Sequence, residues 1–215
     1  VYDWCYPHMS ATDRNTITAN WNARLAELNA ASWGGVNMSA SNYHWGFLRN
    51  SLLWGIASYH HNAQAQSFID HALDVRYRNL AANPPSGHSR FQAWYEGFGV
   101  GGVPLEGSAY GGAMIYYPSI AFTAATDFGY DAWGTVKYHH DALYYLKYAA
   151  TPQPTQRFDN SVAQWQLFPF NEDENFRESG LAENDAYADF IAAYALRYPT
   201  SRASGMARAW MIFKS

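Results

Sequence analysis

Apolar side chains recur at three- and four-residue steps along most of the chain, the spacing that places them on one face of an α-helix. The first such run follows an N-capping cluster at residues 10–13 and ends at the glycines of 33–35. We expect further helices over 42–61, 63–80, 106–128, 136–149, 182–198 and 202–213. Strand-like alternation is absent except around 165–170. The pattern therefore predicts an all-α fold.

The predicted helices follow one another as antiparallel pairs, which stack either as a bundle or as an α/α toroid. The length of 215 residues suits one domain with a sizeable core. The opening residues 1–4 resemble the interior of an element, and no leader peptide is visible. We therefore expect a single domain over 1–215 that is a fragment or a processed part of a longer protein.

Composition excludes several classes of protein. Charged residues make up only 15% and aromatic residues 18% of the chain, unlike a disordered protein. Polar residues interrupt every apolar stretch, so we expect no transmembrane helix. The net charge is −4 and no Lys/Arg run occurs, which argues against nucleic acid or an acidic membrane as partner. The single Cys5 cannot form an internal disulfide.

Aromatic, His and Asn residues are concentrated in the predicted connections, notably at 42–45, 91–98 and 165–170. Aromatic side chains among polar neighbours can line a groove that accepts the apolar faces and hydroxyl rims of sugars. They can also simply pack the loops of a helical domain. We favour the groove.

The segment 101–112 combines glycines and a proline with the start of a helix. Glu106 and Tyr110 are four residues apart, so they share one face at the N-terminal end of that helix. A phenol beside a carboxylate can donate or accept a proton. The alternative is an ordinary helix start with a favourable Glu and a packed Tyr.

A second candidate segment begins at Asn42, at the start of the helix predicted over 42–61. His44 can abstract a proton near neutral pH, and Asn42 can hydrogen-bond a carboxylate. A satisfied structural histidine is the alternative. We expect His71 to lie on a solvated helix face. The sequence contains no HExxH, CxxC or EF-hand pattern, so it identifies no metal ligands, and we expect no structural zinc and no cofactor.

Three segments in order resemble the heparinase II/III-like polysaccharide lyases and the related glucuronyl C5-epimerases that act on dermatan sulfate. They are Val1–Pro7 with its Tyr-Asp-Trp triplet, Asn42-x-His44-Trp45, and Glu106–Gly111. The resemblance spans most of 1–128. It implies an incomplete α/α toroid, from which the family's β-sandwich domains are absent here. It also implies a secreted or periplasmic protein that acts on uronic-acid polysaccharides and has further domains in a longer chain.

The resemblance also implies roles for individual residues. His44 becomes a candidate base for the C5 proton, and Tyr110 a base or an acid toward the leaving oxygen. Asn42 helps to neutralise the substrate carboxylate, and Glu106 orients His44 or Tyr110. Further candidates for substrate binding are Trp45, Arg49, His88, Arg90 and Trp94.

Three alternatives to a lyase remain at this point. One is a uronyl C5-epimerase, and another is a carbohydrate-binding or structural module without chemistry. The third is a glycoside hydrolase that pairs Glu106 with Glu96 or Asp131, since inverting hydrolysis needs two carboxyl groups about 6.5–9.5 Å apart. The negative net charge favours less sulfated uronates as substrates over densely sulfated heparin.

Overall fold

A computed structural model describes residues 2–31, 41–77, 100–104, 106–131, 133, 138–155, 167–168 and 185–214. The helices are α1 (Tyr2–Cys5), α2 (Ala11–Ala30), α3 (Asn42–Ala57), α4 (Ala65–Asp70), α5 (Gly107–Asp127), α6 (Tyr138–Ala149), α7 (Asp185–Arg197) and α8 (Arg202–Lys214). A π-helical turn over His71–Tyr77 continues α4. The described ranges contain no β-strand, only an isolated bridge between Ala150 and Leu167. The all-α prediction is confirmed.

Local sequence explains where α2 begins. The Ser10 hydroxyl accepts a hydrogen bond from the Asp13 backbone N–H at 3.1 Å and donates one to the Asp13 carboxylate at 2.7 Å. This arrangement satisfies one of the free N–H groups of the first turn.

Among the described helices, none combines the length and the apolar character needed to cross a membrane.

The helices α3, α5 and α7 lie side by side and run in the same direction. At one end Asn42 meets Glu106, and further along α3 the backbone at Gly46 faces the Tyr117 ring. The same order relates α5 to α7, because Gly111 faces Tyr187 and α5 ends beside the last turn of α7. The N-terminal ends of all three helices therefore lie at one edge.

The helices that directly follow α3 and α7 run the other way. Phe47 near the start of α3 faces Arg76 at the end of the π-helical turn, and Gly55 near its end faces Ile69. At the C-terminal end of α7 a short turn leads into α8, which packs back against it. The structure thus contains antiparallel helical hairpins, as the sequence predicts.

Two apolar clusters hold the helices together. The larger joins α3 to α8 and has Trp45, Phe122, Trp133 and Phe190 among its buried rings. The smaller lies under α2, where Leu25, Trp54 and Phe68 meet. Burial of each large apolar side chain contributes roughly 1.5–3 kcal/mol, so these clusters are the main source of stability.

Polar contacts fix α2 on the smaller cluster. The Asn22 side-chain oxygen accepts hydrogen bonds from the Trp54 indole N–H and from the Asn62 amide, both at 2.9 Å. The Asn22 amide in turn donates to the Asn62 oxygen at 2.9 Å. Because these groups satisfy one another, the polar side chains can lie at the edge of the cluster at little energetic cost.

Gly102 allows the segment before α5 to touch α6. Its φ is +76°, and a Cβ atom at this position would lie 2.0 Å from the Ala142 backbone nitrogen. Only glycine combines that conformation with such a close approach. This contact positions the turn that leads to Glu106.

Candidate functional site

The two segments singled out in the sequence meet at their helix starts. The backbone N–H of Asn42 donates a hydrogen bond to Glu106 Oε2 at 2.8 Å, across 64 residues of chain. Glu106 is the residue that precedes α5, and its carboxylate serves the start of α3 rather than its own helix. Helix N-termini carry partial positive charge, so a carboxylate is favourable between two of them.

Ser41 completes the start of α3. Its side-chain oxygen accepts a hydrogen bond from the Tyr43 N–H at 3.3 Å, so two of the first N–H groups of the helix are satisfied by side chains. This leaves the beginning of α3 anchored both to its own N-cap and to the start of α5. We call the joined starts of α3 and α5, with Asn42, Glu106 and Tyr110, the helix-start site.

Close packing of backbone supports the helix-start site. A Cβ atom on Gly111 would lie 2.4 Å from Pro104 Cγ, and 3.5 Å from the Tyr187 hydroxyl of α7. The missing side chain therefore allows the turn before Glu106 to pack directly on the first turns of α5. The phenol of Tyr187 approaches the same point, which brings α7 to the site.

Tyr110 and His44 occupy corresponding positions near the starts of α5 and α3, but their exposure differs. Tyr110 is 53% exposed, whereas His44 is 1% exposed and its ring packs edge-on against Trp45. The Tyr110 phenol is therefore open to solvent. The His44 imidazole is covered by the surrounding chain.

The other predicted binding residues are distributed differently. Trp45 is fully buried in the larger core cluster. Arg49 lies seven residues after Asn42, about 10 Å along the helix, where its guanidinium stacks 4.1 Å from the Tyr117 ring centroid. The predicted residues His88, Arg90 and Trp94 lie outside the described part of the chain.

The structure adds residues that the sequence analysis missed. Tyr116 on α5 and Asp189 on α7 are hydrogen-bonded neighbours; burial, followed by this bond and the Asp189 charge, raises the pKa of Tyr116. No sequence signal pairs two residues that lie 73 positions apart. The sequence could have placed Tyr117 on the same helix face as Tyr110, because the two residues are seven positions apart, about two helical turns.

His71 also departs from expectation. The ring is half-buried rather than solvated, and its Nε2 atom has no hydrogen-bond partner within the described ranges. Burial lowers the pKa of His71 to about 4, with a smaller contribution from the positive charge of Arg76. The ring is therefore neutral at ordinary pH and belongs to the packing of the π-helical turn.

The arrangement offers little to a metal ion. Within the part of the chain that the structure describes, no three His, Cys, Asp or Glu side chains are grouped so as to hold one. What the helix-start site presents instead is a carboxylate-bridged pair of helix N-termini and an accessible phenol. An exposed phenol in this position can take part in proton transfer.

Comparisons with protein-family models, with curated proteins and with solved structures find no match to this chain.

Proposed function

We propose that the chain is the helical region of a lyase that cleaves uronic-acid polysaccharides by β-elimination, with Tyr110 as the proton-transfer group. The observation that carries the proposal is the 2.8 Å bond between the Asn42 N–H and the Glu106 carboxylate. It joins two of the three segments on which the resemblance to polysaccharide lyases rests. The exposed phenol of Tyr110 lies one turn beyond that bond.

The chemistry follows from the substrate. The carboxyl group of a uronic acid acidifies the neighbouring C5–H, and Tyr110 as phenolate removes that proton. The C5–H electrons form the C4=C5 double bond, and the C4–O4 bond breaks with its electrons leaving on O4. The proton taken by Tyr110 is then given to O4, so atoms and charge balance.

The helix-start site provides the stabilisation that this step needs. Charge builds on the substrate carboxylate as the C5 proton leaves, and preorganised donors aimed at such charge contribute about 2.7–4 kcal/mol each. The side-chain amide of Asn42 is the donor in this proposal, because the backbone N–H of Asn42 is already bonded to Glu106. General base catalysis by Tyr110 adds roughly 10²–10⁴-fold.

The exposure of the two candidate groups favours a lyase over an epimerase. An epimerase must remove the C5 proton from one face of the sugar and return one to the other face. A lyase can use one group for both transfers when the C5 proton and O4 lie on the same side. With Tyr110 exposed and His44 1% exposed, we assign Tyr110 both transfers and His44 the role of a positioning residue.

Burial of His44 also supports a second candidate function, a carbohydrate-binding module without chemistry. In that case the helix-start site would hold a sugar carboxylate and Tyr110 would only stack or hydrogen-bond. The hydrolase alternative that pairs Glu106 with Asp131 is disfavoured. The 21-residue helix α5 lies between them, which separates them by roughly 30 Å, far beyond the spacing that hydrolysis needs.

The toroid is part of the proposal. In this proposal the parallel helices α3, α5 and α7 are the inner helices of an incomplete α/α toroid, and α4 and α8, which run the other way, are among its outer helices. We propose that the inner helices present the helix-start site at one edge of the ring. In this proposal the protein is secreted or periplasmic and acts on the polymer there. Further domains of a longer chain complete the enzyme.

The test is to incubate the protein with glucuronan, alginate and chondroitin and to follow ultraviolet absorbance of the unsaturated uronate. We expect absorbance to rise with one polymer, and product masses to show cleavage without added water. Incorporation of solvent deuterium at C5 without cleavage would indicate the epimerase. Saturable binding with neither signal would indicate the module.

A further inference from the structure

A second concave site lies away from the helix-start site, between α1, α2 and the C-terminal half of α3. It encloses about 470 Å³ and is lined mainly by aromatic and aliphatic side chains. Asn50, the first residue of α3 in its wall, is eight residues from Asn42, and therefore about 12 Å along the helix from the helix-start site. We call this concave site the aromatic pocket.

Stacked rings form one wall of the aromatic pocket. The indoles of Trp21 and Trp54 lie 5.9 Å apart between centroids at an angle of 26°, and Tyr2 packs edge-on against Trp54 at 5.0 Å. Trp54 is 7% exposed, so its position is fixed by packing, while Trp21 is 46% exposed. The result is a rigid aromatic platform with one accessible indole.

Two polar side chains face the same space, Asn50 and Asp3. The Asn50 oxygen accepts hydrogen bonds from Arg49 Nε and Nη2 at 3.2 and 3.1 Å. These bonds orient the amide and leave its NH₂ group as a donor. Asp3 supplies an acceptor and is the charged residue in the lining.

We propose that the aromatic pocket binds a neutral pyranose ring. A pyranose has an apolar C–H face that suits an exposed indole, and its hydroxyl groups suit one donor and one acceptor side chain. A uronate ring fits less well, because its carboxylate would approach the Asp3 carboxylate. The pocket therefore selects an uncharged sugar.

Binding of a neutral sugar in the aromatic pocket would limit which polymers the protein accepts. This step rests on the proposed function, because it assumes that a uronic acid occupies the helix-start site. A chain that occupies both sites contains uncharged sugars as well as uronic acids. Among uronate polymers this favours a copolymer of uronic acids and neutral sugars over a homopolymer such as alginate or glucuronan.

The experiment measures binding of methyl glucoside, N-acetylglucosamine and glucuronate by titration calorimetry and by saturation-transfer NMR. We expect the neutral sugars to bind in preference to glucuronate. Trp21→Ala should weaken that binding by about tenfold or more, because truncating a central aromatic contact costs above ~1.4 kcal/mol. Trp4→Ala is the matched control, since Trp4 is 82% exposed and lies outside the pocket lining.

A second pair of variants keeps the result clear if Trp21→Ala fails to fold. Trp21→Phe should weaken neutral-sugar binding less, and Asp3→Asn should improve binding of glucuronate while leaving methyl glucoside nearly unchanged. A wild-type protein that binds no neutral sugar, or that loses as much affinity through Trp4→Ala as through Trp21→Ala, overturns the inference.

The two proposals fail separately. Neutral-sugar binding without any cleavage of uronate polymers would remove the lyase and keep the aromatic pocket. Cleavage with an unchanged KM in the Trp21→Ala variant would remove the pocket and keep the lyase.

Discussion

The Glu106 carboxylate has a structural role, because it connects the starts of two helices. It accepts the Asn42 N–H at 2.8 Å and so fixes how the starts of α3 and α5 lie against each other. The oxygen sits where both helices carry partial positive charge, which strengthens the contact. A side chain on one helix therefore sets the geometry of the other.

Replacing this carboxylate separates its hydrogen bond from its charge. Glu106→Ala should lower the free energy of unfolding by about 1.5–3 kcal/mol, the usual range for a hydrogen bond to a charged group. Glu106→Gln keeps an oxygen acceptor and should lose less. Urea denaturation of the three proteins measures the difference, and equal losses for Ala and Gln would contradict the assigned bond.

A buried histidine makes stability depend on pH. Burial lowers the pKa of His139 from its ordinary 6.5 to about 3, with a smaller contribution from His140. In the unfolded chain His139 binds a proton below about pH 6.5. In the folded chain it binds one only below about pH 3. The free energy of unfolding should therefore fall as the pH falls through this window, by up to ~1.4 kcal/mol per pH unit.

His139→Phe tests that dependence, because it keeps a ring beside Phe122 and Trp133 and removes the titrating group. The slope of stability against pH between 6.5 and 3 should become shallower than in the wild type. His60→Phe, at an exposed position, is the control and should keep the wild-type slope. An unchanged slope in His139→Phe would show that other groups dominate.

For individual residues, the sequence indicated the position along a helix better than it indicated the exposure of the side chain. The helix-start signal placed Glu106 and Tyr110 at the beginning of α5, where Glu106 is the N-cap residue and Tyr110 lies in the first turn. The sequence could not show that His44 is buried and Tyr110 exposed, because exposure depends on which neighbouring helices pack on each face. The contact between Tyr116 and Asp189 is likewise a product of tertiary packing.

The helices themselves depend on a few close approaches of backbone. Gly102 brings the segment before α5 against Ala142 of α6, and a side chain at that position would overlap backbone atoms. Gly101, with φ +81°, has no atom of the described residues within 4 Å of its hypothetical Cβ. The two neighbours share a left-handed conformation and differ only in the space around them.

Substituting alanine at each position separates conformational strain from overlap. Gly101→Ala should cost about 1–2 kcal/mol, the usual penalty for a left-handed alanine. Gly102→Ala should cost roughly 1–3 kcal/mol more, because overpacking adds to the strain. Thermal and urea unfolding give both values. Equal costs would mean that α6 moves away from the segment freely.

Element boundaries followed the sequence closely where capping residues and breakers were present. The N-capping Ser10 and the run that begins at Asn42 predicted the starts of α2 and α3. The helix expected over 63–80 is instead α4 followed by the π-helical turn His71–Tyr77. A change of helix type leaves the apolar spacing nearly intact, so the pattern alone could not reveal it.

The whole molecule is mildly acidic, with 14 basic and 18 acidic residues. A surface of this charge does not favour a densely sulfated polymer. Its antiparallel hairpins were predictable from the succession of helices along the chain. The parallel order of α3, α5 and α7 was not, because it is set by contacts between residues more than sixty positions apart.

Charge gives a prediction about substrate choice. At equal concentrations of uronate and low salt, the protein should act faster on chondroitin than on its sulfated forms or on heparin. Initial rates from ultraviolet absorbance measure this order. Faster turnover of the sulfated polymers, reduced by added salt, would reveal a basic cleft and contradict the prediction.

The central claim is that the Tyr110 phenol transfers protons in a lyase reaction, and it is tested most directly by removing one oxygen atom. The rate of unsaturated-uronate formation by Tyr110→Phe should fall by at least about 10²-fold, with polymer binding nearly unchanged. Tyr148→Phe, at a 76% exposed tyrosine of α6, should keep the wild-type rate. A Tyr110→Phe protein that cleaves at the wild-type rate would contradict the account.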